Sequence, residues 1–440
     1  MPVLPKVLII GQPFTNNSGG GITQANLFHG WDKDKIAVLC TVHMFKNLNP
    51  KICDTYYLLG SEEYKWYFPF NLIQRKTISG EVKVPETNET VQKNKPGEVK
   101  ISAREKFITK YFYPFLEYTG LIHQVSTLNV SYQLVQWIES YNPDVIYAQA
   151  STRETVLFCS RVADSIKKPI VFHMMDDWPS TISEKGPFKN YWKKKIDGEF
   201  RQMLNRCSVL LSISGYMADE YKRRYGKSFT TFHNPIDVAF WKSCQRTSYS
   251  IPAKPELLYA GRIGPGIQNS LETIAAATDL VNIQYGIDIS FVLQTESKPA
   301  WVDNYKSARY RAPVAYEELP RVFAEADMLI LPYDFSADSI KFIGFSMPTK
   351  APEYMASGTP VIVFAPEVTA IVKDAEKNKW GKVVTENNIE KLALAISELC
   401  RNEDERGSMA QRAVEMAESK FNSVRVRNEF REVLSSIKPN

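Results

Sequence analysis

The stretch SMPTKAPEYMASGTPVIVF, residues 346–364, holds the residues best suited to chemistry. Thr349 can cap a following helix, Lys350 lies in its first turn, and Glu353 sits one turn further in. A helix N-terminus with a lysine makes a diphosphate site, and a carboxylate just beyond can accept hydrogen bonds from two ribose hydroxyls. A capping turn with solvated Lys350 and Glu353 is the plainer alternative. Arg262 directly follows the apolar run ELLYAG, where a guanidinium suits a bidentate grip on phosphate. Near the N-terminus, NNSGGGITQ follows another apolar run. Gly19, Gly20 and Gly21 permit unusual backbone angles and close approach to a ligand, or form only a flexible turn. The spacing is not that of a dinucleotide fingerprint, and no P-loop lysine follows. Finally, HMMDDWPS gathers His173, Asp176, Asp177 and Trp178 after a further apolar run. Adjacent acids on extended chain point to opposite sides, which argues against a metal. A helix cap or core salt bridge is one alternative; a His173 or Asp177 that faces substrate and positions a hydroxyl is the preferred one.

The elements that must position these groups are legible as short apolar runs. VLIIG (7–11), IAVLC (36–40), DVIYA (144–148), PIVFHM (169–174) and SVLLSIS (208–214) read as buried parallel strands. Helical patterns such as SYQLVQWIESY (131–141) and STRETVLFCSRVADSIK (151–167) lie between them. After a Pro-containing stretch at 234–255 a second series begins, with ELLYAG (256–261), ISFVLQ (289–294), ADMLILPY (326–333) and PVIVFA (360–365). Alternation of this kind predicts α/β architecture, two Rossmann-like doubly wound domains in tandem. Their expected bounds are 1–240 and 241–420, with a terminal helix over 421–440 that packs back on the first. Residues 60–125 fit neither series, and their polar middle reads as a mobile loop or extended hairpin.

The chain's 440 residues suit two domains. With 44% hydrophobic and 23% charged residues, disordered and fibrous classes are excluded. Lys plus Arg number 54 against 49 Asp plus Glu, so the net charge of +5 does not by itself indicate nucleic acid. The six cysteines are scattered without paired short spacing, which fits a reducing compartment better than a zinc site or disulfide framework. No uncharged run approaches the roughly 20 residues of a membrane span, and the N-terminus lacks the pattern of a signal peptide. A cytoplasmic protein is expected.

Seven stations occur in order: GGGITQ; NPDVIYAQ; the strand ending HMMDDW; CSVLLSISGYMADEY followed by TTFHNPID; LLYAGRI; AYEELPRVFAEADMLILPY; and PTKAPEYMASGTPVIV. Together they resemble the GT-B fold glycosyltransferases, specifically family 4 of retaining, nucleotide-sugar-dependent enzymes. The match covers residues 6–30 and roughly 140–420. The resemblance implies two domains facing a central cleft. It implies that Arg262 and Lys350 hold a donor diphosphate and Glu353 the ribose, with backbone groups from Ser346 through Pro348 to Thr349 cradling phosphate. The Gly19–Gly21 loop would approach the leaving group, His173 would sit near the transferred sugar, and the base would be read near Arg311–Val314. The expected reaction moves a hexosyl or pentosyl group from a nucleoside diphosphate sugar, uridine favoured, to a hydroxyl of a glycan or lipid-linked acceptor. Surface polysaccharide or glycoconjugate synthesis is the family's commonest duty. No cofactor and no metal are implied, and nucleic acid is not expected as a partner. Asp177 would act as a base only in an inverting enzyme. Two departures stand out. Phe345 occupies the position where the family often has a glutamate, and Ile267 and Gln268 stand where it often has a lysine. Lys350 can replace that cation. Rival readings are a sugar-nucleotide epimerase on the same fold, a transferase acting on protein, small-molecule or nucleic-acid hydroxyls, and a catalytically silent scaffold.

Charge is unevenly spread. Residues 93–110 carry six basic and two acidic side chains, and residues 185–206 carry seven and two, with Phe188, Tyr191 and Trp192 interleaved. Anionic lipid attracts such segments and aromatics sit at headgroup level, so peripheral contact with the inner face of a membrane is expected. Two solvated helix faces or an acidic polymer acceptor are the alternatives.

Overall fold

A computed structural model describes residues 4–15, 18–74, 76–85 and 108–437. The chain divides into two compact units, residues 1–232 with 427–440, and residues 233–426.

The first unit is built on an eight-stranded sheet. Its order is Thr230–Thr231, Val209–Ser212, Ile170–Met174, Val145–Ala148, Val7–Ile10, Ile36–Thr41, Thr55–Leu59 and Gly80–Lys83. The first seven run parallel and the last antiparallel. Val7–Ile10 pairs on both sides and is wholly buried, which is why it reads as an unbroken apolar run rather than an alternating one. The chain leaves this strand toward Ile36–Thr41 and later returns on its other flank, so the strand order reverses beside Val7–Ile10. Ligands of such sheets bind at the carboxyl ends next to that reversal. Gly11 sits there at φ +103°, with its Cα so near the Gln149 carbonyl that a Cβ would lie 2.0 Å from the oxygen; only glycine fits.

Residues 60–125 are less separate from the sheet than the sequence implied. Gly80–Lys83 adds an edge strand to Thr55–Leu59, and Tyr64–Trp66 pairs with Ser126–Leu128. The rest of the expected hairpin, 86–107, lies outside the described residues, as does most of the first basic stretch.

The second unit has a six-stranded, all-parallel sheet ordered Ala308–Arg311, Ser290–Gln294, Glu256–Ala260, Met328–Pro332, Val361–Phe364 and Lys382–Val384. Here the order reverses between Glu256–Ala260 and Met328–Pro332. Apolar layers cover both faces of the sheet, one around Trp241, Phe323 and Tyr354, the other around Leu271, Phe291 and Ile396. Three helices close the chain, Ile389–Arg401, Glu403–Lys420 and Ser423–Ser435. From Arg427 on, the last belongs to the first unit. Its Phe430 ring meets Phe28, Trp31, Tyr147 and Phe232 of the first unit at 5.2–6.4 Å between centroids, and Arg427 donates to the Asn26 carbonyl.

Candidate active site

In the second unit the site begins where sheet pairing stops. Met328–Pro332 pairs with Glu256–Ala260 only at Leu257 and Leu258, which leaves the Ala260 backbone without a strand partner on that side. The buried Tyr354 hydroxyl fills the gap, accepting from Ala260 N at 3.0 Å and donating to Ala260 O at 3.3 Å. This bond pins the helix Lys350–Ala356 over the end of the strand that leads into Arg262. Gly261 gives the Lys350 side chain its room. A Cβ there would lie 2.9 Å from Lys350 Cε and 2.8 Å from the Tyr259 hydroxyl. Tyr259 in turn donates to the Arg262 carbonyl at 2.6 Å, holding the turn that presents the guanidinium.

Three charged side chains therefore gather at the strand-order reversal. Arg262 is exposed, while Lys350 and Glu353 are half-buried on one helix face. Among the described residues, none of the three side chains makes a hydrogen bond or an ion-pair contact. Burial pulls the Lys350 ammonium below the usual lysine range although the Glu353 charge opposes this. Burial likewise raises the Glu353 carboxyl against the pull of Lys350. Each charge is thus held partly desolvated without a satisfying protein partner, an arrangement that favours binding a polar ligand. Tyr316 is stacked on Phe240 at 5.3 Å. Burial first, and then the Glu353 charge, raise its phenol, which places the segment after Arg311 near this carboxylate. Val314 in that segment packs against the core.

The loop from Ser346 through Pro348 precedes the helix, half-buried at both of those residues. Thr349 is not the cap that the sequence suggested. Its backbone is already helical, at φ −58° and ψ −24°, and its side chain makes no capping bond. Instead its carbonyl accepts from Asn234 Nδ2 at 3.2 Å. Sequence reasoning missed Asn234, Tyr354 and Gly261 as supports. Gly261 alone carried a local signal, a glycine between a buried strand and an arginine.

In the first unit, Gly19–Gly21 form the first turn of the helix Gly19–Phe28, capped by Ser18, whose hydroxyl accepts from Gly21 N at 3.1 Å. None of the three has a positive φ, so unusual backbone angles are not their reason. Close packing is, at least for Gly21, where a Cβ would lie 2.1 Å from Thr15 Oγ1. His173 is buried at the end of Ile170–Met174, its Nδ1 2.6 Å from the Tyr147 hydroxyl. That hydroxyl also accepts from Gln149 at 3.2 Å, so a hydrogen-bonded row reaches the strand-order reversal beside Gly11.

Asp177 takes a different part from the one expected. It opens a 3-10 turn, Trp178–Ser180, rather than continuing extended chain. Its buried carboxylate accepts from Tyr221 at 2.8 Å, Arg224 at 2.9 Å and Ser180 at 2.7 Å. Both oxygens are engaged, so it anchors this loop to the helix Gly215–Tyr225, and the core salt bridge is the alternative that the structure carries. Among the described residues no group of three or more His, Cys, Asp or Glu side chains is placed to hold a metal ion.

Residues 100–240 match the family described as Glycosyltransferase Family 4, and residues 254–402 match Glycosyl transferases group 1. The chain is a family 4-like glycosyltransferase of the GT-B fold. Solved structures similar to this transferase include the Anabaena protein HepE in complex with UDP and glucose. The two share 13% identity over 98% of this chain and all of that one, with a TM-score of 0.58. Sucrose-phosphate synthase from Thermosynechococcus elongatus shares 12% over 97% of each chain at 0.59. The trehalose-6-phosphate synthase OtsA shares 11% over 99% and 100% at 0.57. No curated protein matches the transferase by sequence.

Proposed function

We propose that the transferase moves a sugar from a nucleoside diphosphate donor, UDP favoured, to a hydroxyl of a glycan or lipid-linked acceptor, with retention and without a divalent metal. The observation that carries this reading is the unpartnered set Arg262, Lys350 and Glu353 at the carboxyl ends of a parallel sheet. Two cations are available to a departing diphosphate and one carboxylate to ribose hydroxyls. Solved relatives of the fold crystallised with UDP and with UDP-glucose favour uridine. In the proposed step the bond from the anomeric carbon to the diphosphate oxygen breaks while the acceptor oxygen bonds to that carbon on the same face. The acceptor proton passes to the leaving phosphate oxygen. Positioned cations stabilise the charge that develops there, and no protein base is needed, consistent with an Asp177 already engaged by three donors. His173, set by Tyr147, is proposed to position the transferred sugar, and the Gly19–Gly21 turn to approach the leaving group. Surface polysaccharide or glycoconjugate assembly at the inner face of a membrane is the proposed setting. Among the described residues no helix is long and apolar enough to cross a membrane.

The test is a panel of nucleoside diphosphates read by thermal shift, followed by incubation with the matching sugar donor alone. One diphosphate is expected to stabilise the protein by about 2.7 kcal/mol at 100 times its Kd, and donor alone to undergo at most slow hydrolysis. Conversion of the donor to an epimer would identify an epimerase instead. Stabilisation by none of the diphosphates would overturn the reading.

A further inference from the structure

The first unit exposes several large apolar side chains. Phe68 and Leu72 stand out in the turn after Tyr64–Trp66, with 77% and 75% of their surface accessible. Phe115 and Tyr118 are exposed on the helix Tyr113–Thr119, and Phe188 and Tyr191 at the start of the helix Lys189–Arg206. Packing contacts tie these segments together. The Phe70 and Phe112 rings lie 5.8 Å apart, and Tyr67 N donates to the Val125 carbonyl at 2.9 Å. The Tyr118 carbonyl lies where a Cβ on Gly186 would come within 1.7 Å. His123 bonds Ser183 at 2.7 Å and packs on Trp192 at 5.0 Å. Trp192 itself is buried beneath Gly120, so it braces the segments and does not belong to the outer surface as the sequence suggested.

Charge on this face has one sign in excess. Within Lys189–Arg206 both acids are consumed, Asp197 by Arg201 at 2.7 Å and Glu199 by Arg153 at 2.6 Å. Lys185, Lys189, Lys193 and Lys194 are exposed and make no ion pair among the described residues. Lys195 lies 5.6 Å over the Tyr191 ring and Lys110 lies 5.4 Å over the Tyr111 ring, so cations and aromatic rings alternate. Glu117 is the exposed acid among the aromatic residues of Tyr113–Thr119.

We infer that this aromatic-lysine face is the surface by which the transferase rests on an anionic lipid bilayer. The inference gives a definite contact surface to the membrane setting proposed above. Exposed rings with polar tips sit at headgroup level. Unpaired lysines are drawn to anionic lipid by about fivefold in partition for each residue near the surface. Both features are needed: lysines alone would serve any polyanion, and aromatics alone any apolar partner.

Co-sedimentation of the full chain with vesicles tests this, using phosphatidylcholine with or without phosphatidylglycerol. Binding is expected only with the anionic vesicles and should fade toward 1 M salt, where the screening length falls to about 3 Å. The triple variant K189E/K193E/K194E should lower partition by roughly 100-fold or more. F188S/Y191S should weaken binding and leave a residue that salt removes completely. Each variant should keep its nucleoside diphosphate affinity, which separates failure here from failure of the donor site. Equal binding to neutral vesicles, or no vesicle binding, would overturn the inference. So would capture by soluble dextran sulfate with none by vesicles, or a concentration-dependent dimer that F188S/Y191S abolishes.

Discussion

Replacing Lys350 by methionine separates the cost of holding a charge from its use. The side chain keeps its length, so its packing over Gly261 persists, and only the ammonium goes. Lys350 makes no ion-pair contact in the free protein, and burial disfavours its charged form. Its loss removes that penalty and also the weak support it lends Glu353. The two changes oppose each other, so the melting temperature should stay within about 2–4 °C, the shift that 1 kcal/mol produces in a unit of this size. Donor binding should respond quite differently. A desolvated phosphate that loses a charged partner costs about 2–5 kcal/mol. Because Lys350 is only half-buried, the lower part of that range applies, about 2–3 kcal/mol or roughly 30- to 150-fold in UDP affinity. Calorimetry with UDP on wild type, Lys350→Met and Lys350→Arg measures this. The pH profile adds a second readout. A lysine whose ammonium is destabilised loses its proton at lower pH than an ordinary one, so wild-type affinity should fall early on the alkaline side, and Lys350→Arg should flatten that fall. Unchanged UDP affinity in Lys350→Met would refute the assignment. A collapse of thermal stability together with affinity would make Lys350 a structural residue instead.

Three further outcomes follow from the same geometry. Gly261→Ala brings a methyl to 2.9 Å from Lys350 Cε and must displace that side chain, so UDP affinity should drop by about tenfold with every charge retained; a neutral result by calorimetry would show that the lysine reaches phosphate from elsewhere. His123 is held neutral down to about pH 4, first by burial and then by the Arg153 charge. Between about 4 and 6.5 the unfolded chain binds a proton that the native one refuses, so stability rises with pH across that window. His123→Phe should flatten this acid limb by about 1–2 kcal/mol in urea melts, whereas an unchanged slope would exclude His123 as its source. Transfer measured in excess chelator should proceed at the untreated rate. Activity lost there and restored by magnesium or manganese would contradict a cation role met by Arg262 and Lys350 alone.

Certain features were legible locally because their physics is local. A strand buried on both faces must be apolar at successive positions, so Val7–Ile10 and Glu256–Ala260 announced parallel sheets without any knowledge of their partners. Lys350 and Glu353 lie three apart and share a helix face by periodicity alone, and Arg262 follows its strand at once. Other features depended on contacts between residues far apart in the chain. Asp177 could face substrate or a salt bridge until Tyr221 and Arg224, 44 and 47 residues away, were placed beside it. Trp192 read as an exposed aromatic until Gly120 was found above it. Thr349 looked like a cap because of its type and position, but the hold on that turn comes from Asn234, 115 residues earlier. Gly19–Gly21 belonged to a helix because Ser18 capped it and Thr15 crowded Gly21. Side-chain type limits which bonds a residue can make. Which bond it does make is decided by the donors and acceptors that folding brings within about 3 Å, and that choice belongs to tertiary structure.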